Sequence, residues 1–209
     1  MEFYSVLEKR RTIRDFSDRE VDDGVLKRIL NAALKAPSND HLHQLEFVVV
    51  RGLDRILPLI ETVAENTKAI QQTGLEAGKA AMDADELDMF VDALPKQQRM
   101  LMQSGCLVLP FFRQIGCPLC QPADQSSLNY FASAWAAMEN IFLAATAEGL
   151  ACAFRIPISD ERARVKKLVG APEDYELPCF LAVGYAAEDA YIPKQKVISI
   201  EDRIHENTW

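Results

Sequence analysis

Apolar residues recur every three or four positions in some stretches of the chain and run unbroken in others. Phe3, Val6 and Leu7 have i, i+3, i+4 spacing and predict a short helix. Leu26, Ile29, Leu30, Ala33 and Leu34 form the stripe of a helix from about Asp23 to Lys35, led by acids and stopped by Pro37. Leu53 to about Gln72 is helical in pattern, with Pro58 either near its first turn or kinking it. A further helix from Lys96 to Ser104 ends at Gly105. Ser126 or Ser127 caps a long helix to Glu148, with Gly149 at its C′ position, and Ser159 or Asp160 caps one to Val169, ended by Gly170. The long helix is apolar nearly all round, which places it in the core or at a subunit interface. Unbroken runs at Phe47–Val50 and Cys106–Leu109 predict buried strands, and Ala151–Ile156 and Cys179–Tyr185 two more. Strands interleaved with helices indicate an α/β or α+β sheet protein.

Three stretches lack such a period. Residues 37–46 read as a loop crowded with Ser38, Asn39, Asp40, His41 and His43. The segment 71–95 carries Glu76, Asp83, Asp85, Glu86, Asp88 and Asp92 and reads as a solvated helical face or a lid. From Asp189 onward no compact element is predicted, but Ile192, Val197, Ile198, Ile200, Ile204 and Trp209 favour a tail docked on another surface.

Length and charge narrow the classes. A chain of 209 residues suggests a single domain, with 71–95 as an insert and 189–209 as a C-terminal extension. A net charge of -8 disfavours general nucleic-acid binding. No apolar run approaches the roughly 20 residues that span a bilayer, and the first residues do not form a signal peptide. Cys106, Cys152 and Cys179 sit in apolar runs like buried small hydrophobes, which suits a reducing cytoplasm.

Within this acidic chain Arg10, Arg11, Thr12 and Arg14 stand together. Extended backbone would point Arg10, Thr12 and Arg14 the same way, and a helix would still align Arg10 with Arg14. Either geometry makes a cationic clamp with a hydroxyl inside it, and guanidinium forks suit phosphate oxygens. The bland alternative is a solvated basic turn pairing with Glu8 and Asp15. Cys117-x-x-Cys120 offers a redox pair or half a zinc site, although it precedes a loop and lacks further ligands beyond His41 and His43. The histidines are also candidate proton donors.

Arg10-Arg11-Thr12-Ile13-Arg14-Asp15-Phe16 resembles the R-R-S-x-R-x-F opening of the FMN-dependent nitroreductase family. Ala36-Pro37-Ser38 before a Val-rich strand is similar to its A-P-S segment, and Gly149-Leu150 after an Ala-rich helix to its G-L turn. Leu181-Ala182-Val183-Gly184-Tyr185 resembles its last core strand, and Lys194-Gln195-Lys196 its late basic pair. The resemblance implies an α+β fold in α/β/α layers, with a mostly antiparallel mixed sheet of four to five strands and a C-terminal tail docked on the partner of a homodimer.

It further implies FMN at the subunit interface. Arg10, Thr12 and Lys196 would hold the phosphate, joined by Arg11 and Lys194, with Arg14 nearer the flavin pyrimidine. Arg99 would stand near flavin N1 and O2, with Lys96 where the family often has Asn. Pro37, Ser38 and Asn39 would approach from the other subunit, with His41 at the position of a family Asn. A backbone N–H at Arg155 or Ile156 would reach N5, since Pro157 has none. Leu45 replaces a family Trp, and Thr12 keeps the family hydroxyl.

The function so implied is hydride transfer from NADH or NADPH through FMN to a nitroaromatic, quinone or similar small electron-poor acceptor. No catalytic side chain is expected, because the cofactor carries the chemistry. Neither a nucleic acid nor a membrane is expected as partner. The alternatives are another flavin-fold chemistry, such as reductive dehalogenation or oxidation by oxygen, and a non-catalytic module holding a flavin or a metal.

Overall fold

Strands β1 (Leu45–Val50), β2 (Cys106–Arg113), β3 (Ala151–Arg155), β4 (Tyr175–Glu176) and β5 (Phe180–Gly184) form one sheet ordered β1-β2-β5-β3, with β4 on β2. The computed structural model describes residues 2–114 and 128–209, apart from the side chains of Gln72 and Thr73. Every strand pairing described is antiparallel. Side chains alternate across this sheet and divide the core in two. Leu107, Leu109, Ala151, Ala153, Phe180 and Ala182 enter one apolar cluster, and Cys106, Val108, Cys152, Leu181 and Val183 the other.

Helices α3 (Leu53–Leu59), α6 (Arg99–Gln103) and α8 (Glu161–Val169) cover the first face with Ile56, Leu59, Met100, Leu101 and Val165. Helices α2 (Asp23–Ala33) and α7 (Asn129–Ala147) cover the second with Leu26, Ile29, Ala33, Ala137, Met138 and Ile141. A bidentate pair from Arg28 to Glu148, 2.7 and 2.8 Å, ties α2 to the end of α7. The layered α+β architecture is the expected one.

Several boundaries differ from the sequence expectations. The run Phe47–Val50 is not a buried strand but the outer part of an edge strand: only Val50 is buried. Pro58 lies inside α3, which ends one residue later, and a separate α4 (Val63–Ala81) follows. A proline there removes one helical donor and crowds the carbonyl four residues back. The acidic stretch is helix α5 (Ala84–Ala93), started by a reciprocal cap between Asp83 and Glu86. The helix expected from Lys96 begins only at Arg99. Leu34, placed on the α2 stripe, is exposed. The two-residue β4 has no sequence signal, and Ser126, Ser127, Cys117 and Cys120 lie outside the described residues.

The Arg cluster follows α1 (Phe3–Lys9) as extended chain along the free edge of β3. Thr12 bridges Cys152 in parallel, and the Ile13 N–H donates to the Cys152 carbonyl at 3.2 Å. Phe16 then bridges Ala186, beyond β5. Here Gly184 permits a close approach: a Cβ on it would stand 2.9 Å from both the Gly105 nitrogen and a Phe16 ring carbon. Gly184→Ala is therefore expected to destabilise the protein by about 1–3 kcal/mol through overpacking. Urea unfolding checks this, and an unchanged midpoint would contradict the packing.

Candidate functional site

Both ends of the chain meet in one cleft of about 440 Å³. Arg10, Arg11, Thr12 and Arg14 line it from the segment on the β3 edge, and Lys194 and Lys196 from the tail. Phe154 of β3 and Met89 of α5 add apolar surface. Of the two backbone geometries open to the Arg cluster, the structure has the extended one, because β3 offers it an unpaired edge.

The cluster's side chains have different duties. Arg10 Nε lies 3.6 Å from a Glu139 carboxylate oxygen of α7. Arg11 turns to the backbone: it donates to the carbonyls of Glu8 and Arg10, at 2.7 and 2.8 Å, and to that of Pro193 at 3.2 Å. It thereby staples the tail to the N-terminal segment and sets the two lysines over the cleft. Arg14 is the most enclosed of the three. Burial pushes its guanidinium below its ordinary pKa against the pull of Asp92 and Asp15, and among the described residues its Nε is buried without a partner.

Asp83, Asp85 and Glu86, from the start of α5, also line this cleft, although in the sequence they read only as part of a solvated helical face or a lid. Lys194 Nζ donates to Asp85 at 3.0 Å, and Lys196 Nζ to Asp83 at 2.8 Å and to Glu86 at 2.7 Å. These hydrogen bonds raise both lysine pKa values, and Lys196 holds the Asp83 and Glu86 carboxyls below their ordinary range. Five cations and three carboxylates line the cleft, with Glu139 beside Arg10 and with Asp92 and Asp15 acting on Arg14 from outside the lining. The Asp83-x-x-Glu86 spacing is itself a helix-start signal that would have located α5.

Lys96 and Arg99 are not brought into this cleft. They line a separate cavity beside Asp15, to which Lys96 donates at 2.5 Å and Arg99 at 2.7 Å. Lys96 also pairs with Asp92 at 2.5 Å, and the Tyr191 N–H donates to Asp15 at 3.2 Å. Burial alone would push the Asp15 carboxyl up, but Lys96, Tyr191 and Arg99 hold it below its ordinary value. A depressed carboxylate of this kind contributes stability that is complete above the ordinary carboxylate pKa and lost as pH falls through the lowered one.

Arg155 faces the interior. It is 4% exposed and ion-paired with the fully buried Glu161, whereas the neighbouring Ile156 is exposed. Glu161 uses both oxygens: one accepts from Arg155 at 2.7 Å and Asn66 at 3.0 Å, the other from Arg155 at 3.3 Å and the Ile158 N–H at 3.1 Å.

Pro37, Ser38 and Asn39 line a different pocket, between α2, α7 and β1. The Asn39 N–H donates to Ser133 Oγ at 2.8 Å, and the His43 N–H to Ser38 Oγ at 3.1 Å. Asp40, His41 and His43 have φ of 49°, 56° and 47°, in a region that only a few non-glycine residue types visit readily. His41 is exposed and lines neither pocket.

For metal and thiol chemistry the structure speaks only of residues other than Cys117 and Cys120, which lie outside those described. Among the described residues no cluster of three His, Cys, Asp or Glu is placed to hold a metal ion. Burial pushes the Cys106 thiol up to about 11 and that of Cys179 to about 12, away from reactive thiolates. No described helix is long and apolar enough to cross a membrane.

Comparison with known proteins follows the same lines. The chain is 25% identical over 207 residues to a putative NADH dehydrogenase/NAD(P)H nitroreductase of Archaeoglobus fulgidus, covering 96% of this chain and 94% of the relative. It is also 25% identical over 194 residues to the iodotyrosine deiodinase of Nematostella vectensis, covering 92% of this chain and 70% of that protein. The structure of an FMN-dependent nitroreductase from Clostridium difficile R20291 shares the fold, with a TM-score of 0.66, 20% identity and 99% coverage of both chains. The model of the nitroreductase family matches residues 7–185, and the chain belongs to that family.

Proposed function

We propose that this protein is an FMN-dependent oxidoreductase that takes hydride from NADH or NADPH and delivers it to an electron-poor acceptor such as a nitroaromatic or a quinone. The observation that carries this reading is the cleft where cations from both ends of the chain converge on Thr12. A phosphate monoester brings nearly two negative charges and three acceptor oxygens. Cations outnumber carboxylates along the lining by five to three, and among the described residues Arg14 Nε lacks an acceptor. Bound FMN would supply the hydride chemistry itself.

Arg10, Thr12 and Lys196 would hold the phosphate, with Lys194 beside them and Arg11 fixing the tail that carries both lysines. Arg14, deeper in, would face the flavin ring. Phe154 lines the cleft, and the backbone of Arg155 and Ile156 follows it directly, which suits the assigned donation to N5. Lys96 and Arg99 would act at the pyrimidine edge only after giving up Asp15. Pro37, Ser38, Asn39 and His41 stand outside this cleft, in keeping with a role across the interface of a homodimer. Exposed Ile198, Ile200, Ile204 and Trp209 offer apolar surface for such a partner.

A second reading, reductive dehalogenation by the same cofactor, is favoured by the deiodinase relative. The visible spectrum of the purified protein tests the shared premise. Flavin bands are expected, as isolated or after FMN is added, and their absence in both cases would remove both readings. Turnover of NADH or NADPH with a nitroaromatic or with a halogenated phenol then separates them.

A further inference from the structure

We infer that the first turn of α5 is a latch, in which Asp83, Asp85 and Glu86 hold the tail lysines over the cleft until a phosphate-bearing ligand displaces them. The identity of that ligand rests on the FMN reading above. Lys196 donates to Asp83 and Glu86 at 2.8 and 2.7 Å, and Lys194 to Asp85 at 3.0 Å. These lysines line the same cleft as Arg10, Thr12 and Arg14. A phosphate dianion placed on Lys196 would bring its oxygens to roughly 4–5 Å from two carboxylates that share the same ammonium group. Like charges at that range repel, so phosphate and carboxylates compete for one cation.

The construction lets the latch open without unravelling the helix. Asp83 caps α5 with Oδ1, which accepts from the Glu86 N–H at 2.9 Å, and Glu86 answers with Oε2, which accepts from the Asp83 N–H at 3.0 Å. Lys196 takes the other oxygen of each, Oδ2 of Asp83 and Oε1 of Glu86. Cap and latch therefore use separate atoms. The far half of α5 is seated independently, with Phe90 lying 3.4–3.5 Å from where a Cβ on Gly74 or Gly78 of α4 would be. The first turn itself is exposed, and besides the lysines it is helped by Tyr191, whose hydroxyl donates to Asp88 at 2.7 Å. Few exposed contacts hold it, and such segments part first.

Asp83→Asn with Glu86→Gln tests this cleanly, since Asn still caps and Gln still completes the reciprocal cap while both charges go. FMN and riboflavin, which lacks the phosphate, are titrated into flavin-stripped protein. We expect FMN to bind the variant roughly five- to tenfold more tightly at low salt, the gain expected from releasing two exposed pairs. The gap should narrow at high salt, and riboflavin should bind both proteins alike. Asp85→Asn, outside the cap, should show the same direction with a smaller gain. In the wild type, FMN but not riboflavin should expose residues 81–84 to protease. Equal FMN affinity in wild type and variants overturns the latch and leaves FMN binding intact. Weaker FMN binding by the variants overturns it too, because the carboxylates would then be positioning the lysines. If no protein binds either flavin, the FMN reading falls and the latch with it.

Discussion

Glu161→Ala is expected to lose about 3–5 kcal/mol of folding stability, because it strands a buried guanidinium without a counter-charge. Arg155 is 4% exposed, and Glu161 is its only carboxylate partner among the described residues. The same carboxylate also accepts from Asn66 of α4 and from the Ile158 N–H, so one truncation leaves four donor nitrogens on three residues short. Replacing both partners by apolar residues of similar size, as in Arg155→Met with Glu161→Leu, should recover much of the loss, since the cost lies in the unpaired charge rather than in the missing attraction. Urea unfolding of the single and double variants measures both terms. A single-variant loss below about 1 kcal/mol would mean that the pair is solvated and that the turn it braces is looser than the structure shows.

The second large effect is on ligand affinity. Arg10→Ala and Arg14→Ala should each weaken FMN binding by about 1.5–3 kcal/mol, the range for a charge-assisted hydrogen bond, or roughly 10- to 150-fold. The two differ in the flavin-free protein. Arg10 is partly exposed and makes one long ion pair with Glu139, so its loss should leave unfolding nearly unchanged. Arg14 is enclosed and among the described residues its Nε has no partner, so its truncation removes a desolvated donor as well as packing. Fluorescence titration with FMN, with riboflavin as the phosphate-free control, reads the affinities. Riboflavin losses equal to those for FMN in Arg10→Ala would show that Arg10 does not serve the phosphate.

The layers were legible in the sequence because burial imposes a period. β2 and β5 alternate between two apolar clusters, and their unbroken runs register burial on both faces. The same run in β1 misleads, since valines suit a pleated surface whether or not a second layer covers it. Pro58 marked trouble in a helix but not where the chain would resume. The Arg10–Arg14 half of the cleft was legible from its residues as a cationic clamp and the Lys194–Lys196 half only through a resemblance, and the structure lines one cleft with both. The carboxylates were not legible. Asp83, Asp85 and Glu86 meet lysines more than a hundred residues away, and the Asp15 pairing that removes Lys96 and Arg99 from the cleft spans 81 and 84 residues. Charge pairing over such distances leaves no periodic trace, and neither does the burial of Glu161, the single acid of α8.

The staple from Arg11 to Pro193 joins residues 182 apart in the chain. A ribosome delivers the N-terminal part first, and domains fold as their residues emerge. Strand β1, the rest of the sheet and the Arg segment all precede residues 193–196 in the chain, so the cleft is completed only after the whole sheet has been made. Any ligand held by both segments must therefore load after the sheet is made, and before that only the Arg segment is there to grip it.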